Sequence, residues 1–226
     1  MGNYVRDGKI IPLDYVFYEI FSKLGFVLRN RIVWRFNFGL NATHRLSGRY
    51  ETVLWFTRSG NYRFNLDPIR VRQLYPGKTK RVNGVHTPSG NPKGKNPSDF
   101  WEFDATDAFL TDPVWDIPNV KANHPEKTVH PCQFPNEVAE RCILAFSIPG
   151  DVVFDPFAGV GTVTSCAAAH GRIGLGIELD AEFSKLANDR LISAAAGTLP
   201  LRKSGTPPRR PKPTEKVAQL PEGWTE

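Results

Sequence analysis

Cysteine is scarce in this chain of 226 residues, which contains three: Cys132, Cys142 and Cys166. They form neither a CxxC pair nor an even set, so we expect no disulfide framework and a reducing compartment. The five histidines show no zinc-type spacing with these cysteines. Because structural zinc needs His and Cys ligands at short, regular spacings, we expect no metal site.

Long hydrophobic runs are also missing. No uninterrupted apolar stretch approaches the roughly 20 residues that a membrane span requires, and the N-terminus lacks the charged-then-apolar order of a signal peptide. Arg6 stands where a myristoylation signal has Ser or Thr. We therefore expect a cytoplasmic protein without membrane contact, whose 40% apolar residues suffice for the core of one α/β domain.

Acidic residues are absent from two stretches that are rich in basic ones. Residues 29–49 carry five arginines and residues 70–95 carry seven Lys or Arg, and neither stretch contains an acid. The segment 202–216 adds six basic residues against Glu215. Because neutralising phosphates releases counterions, this segregated positive charge favours a nucleic acid as partner. Solvated basic faces and a non-specific tail are the alternative interpretation.

Hydrophobic periodicity predicts an ordered scaffold that is interrupted by one long insertion. The predicted elements are a helix at 12–24, strands at 26–34 and 50–56, a helix at 134–147, a strand at 151–155, a helix at 162–170, a strand at 172–178 and a helix at 181–196. The last four form a βαβ unit of a parallel sheet. Gly, Pro, Asn and Lys dominate from Asp67 to about Pro125, which predicts a loop-rich insertion.

The sequence VVFDPFAGVGT at 152–162 indicates a strand that ends in an acid and turns through two glycines into a helix. A triphosphate loop would need a lysine after Gly161, and a dinucleotide loop would need glycine in place of Thr164. The Asp155 carboxylate disfavours a pyrophosphate and suits a ligand that carries a sulfonium. S-adenosylmethionine is therefore the favoured ligand, with a purely structural turn as the alternative.

Glu178 supports this ligand, because it ends the next strand, 19 residues after Gly159. An acid at that place can accept hydrogen bonds from the hydroxyl groups of a ribose.

These residues resemble the cofactor-binding half of the site-specific DNA methyltransferases that modify exocyclic amino groups, the adenine-N6 and cytosine-N4 type. The motifs that carry the resemblance are DPFAGVGT, GRIGLGIE, LANDRL, NHPEKTVHPCQFPNEVAERCI, GFVLRNRIVW and SGRYETVLWFTR. Together they cover roughly residues 2–192. The resemblance implies an α/β fold with a Rossmann-like sheet that binds S-adenosylmethionine.

The resemblance also implies a cofactor site built from the glycine turn and the segment upstream of it. The residues that would line the methionine and adenine side are Asp155, Pro156, Phe157, Gly159, Gly161 and Thr162. Glu178 would hold the ribose. The residues that would approach the methionine end are Lys127, Thr128, His130 and Pro131. For His130 the alternative is a core or turn histidine.

The resemblance implies four regions: central strands and a helix at 1–66, a target-recognition insertion at 67–122, the cofactor-binding βαβ portion at 123–196, and a basic tail at 197–226 whose composition predicts disorder. The partner would be double-stranded DNA. The basic residues expected to contact it are Arg45, Arg49, Arg70, Arg72, Lys78, Lys80, Arg81, Lys93 and Lys95.

One departure from the family's pattern concerns catalysis. These enzymes orient the target amine with an (Asp/Ser)-Pro-Pro-aromatic loop, whereas the only Pro-Pro here, Pro207-Pro208, precedes Arg209. We therefore assign no catalytic residue and expect an incomplete sheet without its N-terminal strands, in which strands 151–155 and 26–34 lose a shared partner. The hypothesis is a truncated or split enzyme that is inactive alone, with a complementing N-terminal fragment or a restriction endonuclease as partner.

Three functions stay open at this point. The first is a DNA amino-methyltransferase that transfers the methyl group directly, with adenine preferred to cytosine and with the cysteines serving only as buried small hydrophobes. The second is a cofactor-binding or DNA-binding partner without activity of its own. The third is a nucleotide-dependent oxidoreductase, which Asp155 and Thr164 disfavour.

Overall fold

The computed structural model describes residues 1–36, 42–71, 73, 75–101, 120, 124–202 and 214–215. The elements are β1 (Asn3–Arg6), β2 (Lys9–Pro12), α1 (Leu13–Lys23), β3 (Val27–Arg35), β4 (Tyr50–Thr57), a 3-10 turn (Asp67–Ile69), β5 (Thr79–Val82), β6 (Val85–Pro88), β7 (Phe100–Trp101), α2 (Asn136–Phe146), β8 (Val152–Asp155), α3 (Thr162–Ala169), β9 (Ile173–Gly176) and α4 (Ala181–Ala195). Each helix and strand predicted from periodicity is confirmed, with its ends shifted by no more than two residues.

Two hairpins were not predicted, although each has a recognisable signal. β1 and β2 pair antiparallel across Asp7-Gly8, and β5 and β6 pair antiparallel across Asn83-Gly84. All four turn residues have positive φ, between 50° and 85°, as two-residue hairpin turns of this kind require. The second hairpin lies inside the insertion that was predicted to be loop-rich.

The strands of the scaffold form two separate sheets. β3 is central in the first sheet, antiparallel to β4 along its length and parallel to β7 at Val33 and Trp34. β8 and β9 form a parallel pair, as the βαβ prediction requires. In the described part of the chain no strand pairing joins the two sheets.

β3 lies between β4 and β7, but β7 pairs only with Val33 and Trp34. No described strand covers the rest of that side of β3, and the shared partner missing between strands 26–34 and 151–155 stays a prediction. The outer edge belongs to β4, where Met1 and Thr52 exchange two backbone hydrogen bonds of 2.8 Å.

Helix α2 packs between the two sheets and connects two hydrophobic clusters. Val138 and Ala145 pack with Ile32 and Trp34 of the first sheet. Ala139 and Ile143 pack with Cys166 and Ala167 of α3, beneath the second sheet. Because both sides of α2 are covered, this helix sets how the first sheet lies relative to the glycine turn after β8.

The cysteines differ in their surroundings. Cys166 is buried, and burial raises the pKa of its thiol; burial also raises the pKa of Cys142 to about 11. Both therefore stay protonated at neutral pH and pack as small hydrophobes, as predicted. Cys132 is exposed, so the same prediction was wrong for that residue.

The ordered chain continues past the predicted boundary at Gly197. The Arg202 backbone N–H donates to Glu126 Oε1 at 2.9 Å, and its guanidinium donates to Glu137 Oε2 at 3.1 Å. Disorder was therefore the wrong expectation for residues 197–202, because two buried carboxylates hold Arg202. The rest of the predicted tail, apart from 214–215, lies outside the described residues, as does most of 102–122. Within the described ranges, no helix combines the length and apolarity needed to cross a membrane.

Candidate functional site

The turn between β8 and α3 is shaped by two glycines in the left-handed region, Gly159 at φ 54° and Gly161 at φ 71°. A Cβ added to Gly161 would lie 2.9 Å from the Cβ of Ala187 in α4. Gly161 therefore serves both the turn conformation and the close approach of α4. This packing leaves the N-terminal N–H groups of α3 at the carboxyl edge of the β8–β9 pair, where Thr162 is itself buried.

Glu178 joins the two strand ends. Its Oε2 accepts a hydrogen bond of 2.7 Å from Gly159 N–H, and its Oε1 accepts one of 2.9 Å from Asp180 N–H. The backbone N–H groups of Asp180 and then Gly159 hold the pKa of this carboxyl below its ordinary value. Because an ionised carboxylate offers about four acceptor positions, two remain for the hydroxyl groups of a ligand.

Asp155 ends β8 and is held in place by its neighbours. Its Oδ1 accepts a hydrogen bond of 3.0 Å from Phe157 N–H across the exposed Pro156. The Phe157 side chain is 87% exposed. A fixed carboxylate beside an uncovered aromatic ring suits a ligand that carries both a cationic group and a planar ring.

His130 lies directly against the glycine turn. Its Nε2 is 3.5 Å from the position that a Cβ on Gly159 would take. Its ring packs edge-on against the Phe183 ring, with 4.7 Å between the ring centroids. Nδ1 accepts a hydrogen bond of 3.2 Å from Cys132 N–H, which places the ring proton on Nε2, toward the turn. His130 thus presents a hydrogen-bond donor to the turn from a segment distant in sequence. Its local bond with Cys132 N–H is also what the alternative, a core or turn histidine, predicts for a turn.

The other predicted residues of this segment hold its shape. Thr128 Oγ1 donates to Gln133 Oε1 at 2.8 Å, and His130 N–H donates to Thr128 Oγ1 at 3.3 Å. The Lys127 ammonium donates to the His130 carbonyl at 2.8 Å. Pro131 is exposed. Lys127 and Thr128 therefore stabilise the conformation around His130. Their hydrogen bonds are made within this segment and not to the glycine turn.

A buried polar network behind the turn was missed by sequence reasoning. Arg190 of α4 is 7% exposed and donates to the Val160 carbonyl at 2.6 Å and to Asn136 Oδ1 at 3.4 Å. Glu126 is equally buried and accepts a hydrogen bond of 2.9 Å from Asn136 N–H at the start of α2. Desolvation lowers the pKa of Arg190. The available signal was spacing, because Arg190 falls four residues after Leu186 and four before Ala194 on the inner side of α4.

Comparison with known proteins agrees with this geometry. The family model described as DNA methylase, for N6 and N4 methyltransferases, matches residues 7–189. The chain belongs to this DNA methylase family. It is 44% identical over 190 residues to the Type II methyltransferase M.BglII of Bacillus subtilis, covering 83% of this chain and 49% of the relative. It is 34% identical over 168 residues to the DNA adenine methyltransferase YhdJ of Escherichia coli K12, covering 74% of this chain and 53% of the relative.

Among solved structures, the fold is similar to a putative DNA modification methylase of Thermus thermophilus that was crystallised with S-adenosyl-L-methionine. The TM-score is 0.54 at 26% identity, over 86% of this chain and 67% of that one. The chain spans about half the length of the curated relatives it matches. The Rossmann-like α/β methyltransferase fold predicted from the sequence is thereby confirmed.

The basic residues proposed for DNA fall into distinct groups in this member of the family. Arg70 donates to Asp67 Oδ1 at 2.8 Å and to the Gly94 carbonyl at 3.0 Å, so it holds the two ends of the insertion together. Lys93 also pairs with Asp67. The exposed members are Arg45, Lys78, Lys80, Arg81 and Lys93, whereas Arg49 and Lys95 are half-buried and Arg72 lies outside the described residues.

Within the described ranges, no group of three or more His, Cys, Asp or Glu side chains is arranged to hold a metal ion.

Proposed function

We propose that this chain is the cofactor-binding and DNA-recognition part of an enzyme that transfers a methyl group from S-adenosylmethionine to an exocyclic amino group in double-stranded DNA. The observation that carries the proposal is the glycine turn bounded by Asp155 and Glu178 and closed by His130. Adenine N6 is the preferred acceptor, because one of the relatives, YhdJ, is named a DNA adenine methyltransferase. Cytosine N4 is the alternative.

Each group at the turn has a chemical counterpart in that cofactor. The free acceptor positions of Glu178 suit the two ribose hydroxyls, and the exposed ring of Phe157 suits the face of an adenine. The Asp155 carboxylate favours the charged, sulfonium-bearing end. When bound, the cofactor would supply a methyl group to the nitrogen, with its S–CH3 bond breaking as the N–CH3 bond forms and a proton leaving the nitrogen. This direct transfer needs no covalent enzyme intermediate and no cysteine. What these residues contribute is position and orientation.

Titration calorimetry tests the cofactor assignment. We expect Glu178→Gln to weaken S-adenosylmethionine binding by about 10- to 100-fold, since hydrogen bonds to a charged group contribute about 1.5–3 kcal/mol. The new amide also presents N–H to a backbone N–H of Gly159 or Asp180. Asp189→Asn, an exposed acid on α4, is the matched control and should leave the affinity unchanged. If the chain binds NADH and does not bind S-adenosylmethionine, the oxidoreductase becomes the favoured function.

The residues that orient the target amine are proposed to come from a polypeptide segment outside this sequence, because no Pro-Pro-aromatic occurs in it. An apolar cavity of about 410 Å³ between β4 and β8 supports this. Residues from β4, α2, β8 and α3 line it, including Val53, Val138, Val153 and Val163. The outward face of the β8–β9 pair is also apolar and exposed at Phe154 and Leu175. A strand that fills the cavity would pair with the open edge of β8 and complete the sheet.

Methyl transfer from tritiated S-adenosylmethionine to duplex DNA tests this proposal. The chain alone is expected to transfer no methyl groups, and co-expression with the other half of M.BglII, which carries the part this chain does not match, is expected to restore transfer. Methylation by the chain alone would overturn the need for a complementing segment. If neither sample methylates DNA but S-adenosylmethionine binds, the non-catalytic partner subunit becomes the better assignment.

A restriction endonuclease is the second proposed partner, because M.BglII is named a Type II methyltransferase. An endonuclease gene beside this one, whose cleavage is blocked by DNA from the complemented cells, would support that partner. Cleavage that is unaffected by this methylation would exclude it.

A further inference from the structure

The hairpin β5–β6 extends from the core on an excursion whose two ends are pinned together. Val71 and Lys95 form an antiparallel bridge with hydrogen bonds of 2.9 and 3.1 Å. Val71 is buried in the same cluster as Ile69 and Trp34, so the base of the excursion belongs to the hydrophobic core. A segment with such a base has a defined position relative to the cofactor site.

Two ion pairs reinforce this base. Asp67 accepts from both Arg70 and Lys93, and these two bonds hold the pKa of the Asp67 carboxyl below its ordinary value. Arg70 in turn donates to the Gly94 carbonyl. The charges of Asp67, Arg70 and Lys93 at the base are therefore paired with one another. Lys78, Lys80 and Arg81 lie farther out and are exposed.

The hairpin itself is narrow and basic. Asn83 and Gly84 form a two-residue turn with φ of 50° and 85°, a type whose twist matches that of the flanking strands. Seven of its eight strand residues are exposed, and Thr87 is half-buried. Residues 70–95 contain seven Lys or Arg and no acid. The major groove of DNA admits a two-stranded ribbon of this kind.

The register assigns different chemistry to the two faces. Arg81 pairs with His86 and Thr79 with Pro88, so these residues share one face. Thr79 Oγ1 lies 3.3 Å from His86 Nδ1, and Arg81 Nε donates to the Gly84 carbonyl at 3.1 Å. The second bond orients the guanidinium and uses only one of its nitrogens. Lys80 lies on the opposite face and Lys78 at the foot of the hairpin, where they can reach phosphates.

We propose that the β5–β6 hairpin is the element that reads DNA sequence, entering the major groove with Arg81 and His86 toward the base edges. The terminal nitrogens of Arg81 match the O6 and N7 acceptors of guanine. Lys78 and Lys80 neutralise phosphates and carry no sequence preference. This inference rests on the proposed function for its partner, DNA, and goes beyond it by naming the reading element.

The test is selection from a pool of 30-base-pair duplexes with a random central segment, using the full chain and S-adenosylmethionine. Wild type is expected to enrich a sequence that contains at least one guanine. Arg81→Ala and Arg81→Lys are expected to reduce the preference at that guanine by about tenfold or more, because lysine keeps the charge but lacks the two-pronged donor. Lys78→Ala and Lys80→Ala should instead weaken binding to all duplexes alike. Each should also lower the slope of log affinity against log salt concentration by about one.

Lys9→Ala is the matched control, since Lys9 is an exposed lysine on the other two-residue hairpin. It should change neither the enriched sequence nor the salt slope, and circular dichroism confirms that each variant folds. If Arg81→Ala and His86→Ala both enrich the wild-type sequence, the hairpin does not read bases and the inference is overturned, while DNA binding stands. If wild type binds no duplex at low salt, both this inference and the proposal that the chain recognises DNA fail. The proposal that the chain binds S-adenosylmethionine is then judged separately by the calorimetric titration.

Discussion

Arg190 connects α4 to the back of the glycine turn, and replacing it with methionine should loosen that turn. Methionine keeps most of the buried aliphatic volume but removes the donor to the Val160 carbonyl. Val160 is 2% exposed and Asn136 is 3% exposed, so water does not readily replace the lost partner. The expected results are lower stability and weaker binding of S-adenosylmethionine.

The size of the effect follows from the two contacts. The bond of 2.6 Å to Val160 is charge-assisted and contributes about 1.5–3 kcal/mol, whereas the bond of 3.4 Å to Asn136 is long and adds little. Removing the buried cation also recovers part of its desolvation cost, the same effect that lowers the pKa of Arg190. The direct acceptors are neutral, and the buried Glu126 carboxylate, whose charge favours the Arg190 cation, keeps its hydrogen bonds from Asn136 N–H and Arg202 N–H. We therefore expect a loss of about 2 kcal/mol, less than the 3–5 kcal/mol of breaking a buried ion pair.

Urea denaturation measures the loss, and Lys185→Met on the exposed side of the same helix is the control. Arg190→Lys should fall between wild type and methionine, because an ammonium can reach one carbonyl but cannot span both acceptors. If Arg190→Met and Lys185→Met unfold at the same urea concentration, the clamp on the turn has no energetic role and the reasoning is wrong.

Two further predictions concern the turn. Gly161→Ala should destabilise the fold by about 2–4 kcal/mol, because of its positive φ and the overlap of the new Cβ with Ala187. Gly197 has the same φ of 71° but open space around it, so Gly197→Ala should cost only about 1 kcal/mol. Equal losses of stability in thermal unfolding would contradict a packing role for Gly161. The second concerns pH: hydrogen bonds from the Asp180 and Gly159 N–H groups lower the folded pKa of Glu178. The stability that this carboxylate contributes is therefore present above its unfolded pKa and is lost as the pH falls through the folded value. Glu178→Gln should remove this part of the acid dependence in melting curves between pH 3 and 6, and an unchanged profile would refute it.

Much of the cofactor site could be predicted because its signals are local. The strand, the two glycines, Asp155 and Glu178 are read from alternation, turn chemistry and a spacing of 19 residues, and the strands and helices around them form where predicted. The two hairpins were equally local, since Asp-Gly and Asn-Gly are strong turn signals. The second was missed because the surrounding composition indicated loops.

The sequence by itself determined the elements and the residues of the glycine turn, because backbone hydrogen bonds and side-chain periodicity act over a few residues. Only the tertiary structure decided what distant segments do to one another. It placed β3 between β4 and β7, brought His130 to Gly159, buried Arg190 against Val160, and used Arg70 to close the insertion. Such contacts depend on which surfaces are buried together, and a charged residue in the sequence carries no mark of whether its partner is solvent, DNA or a carbonyl thirty residues away.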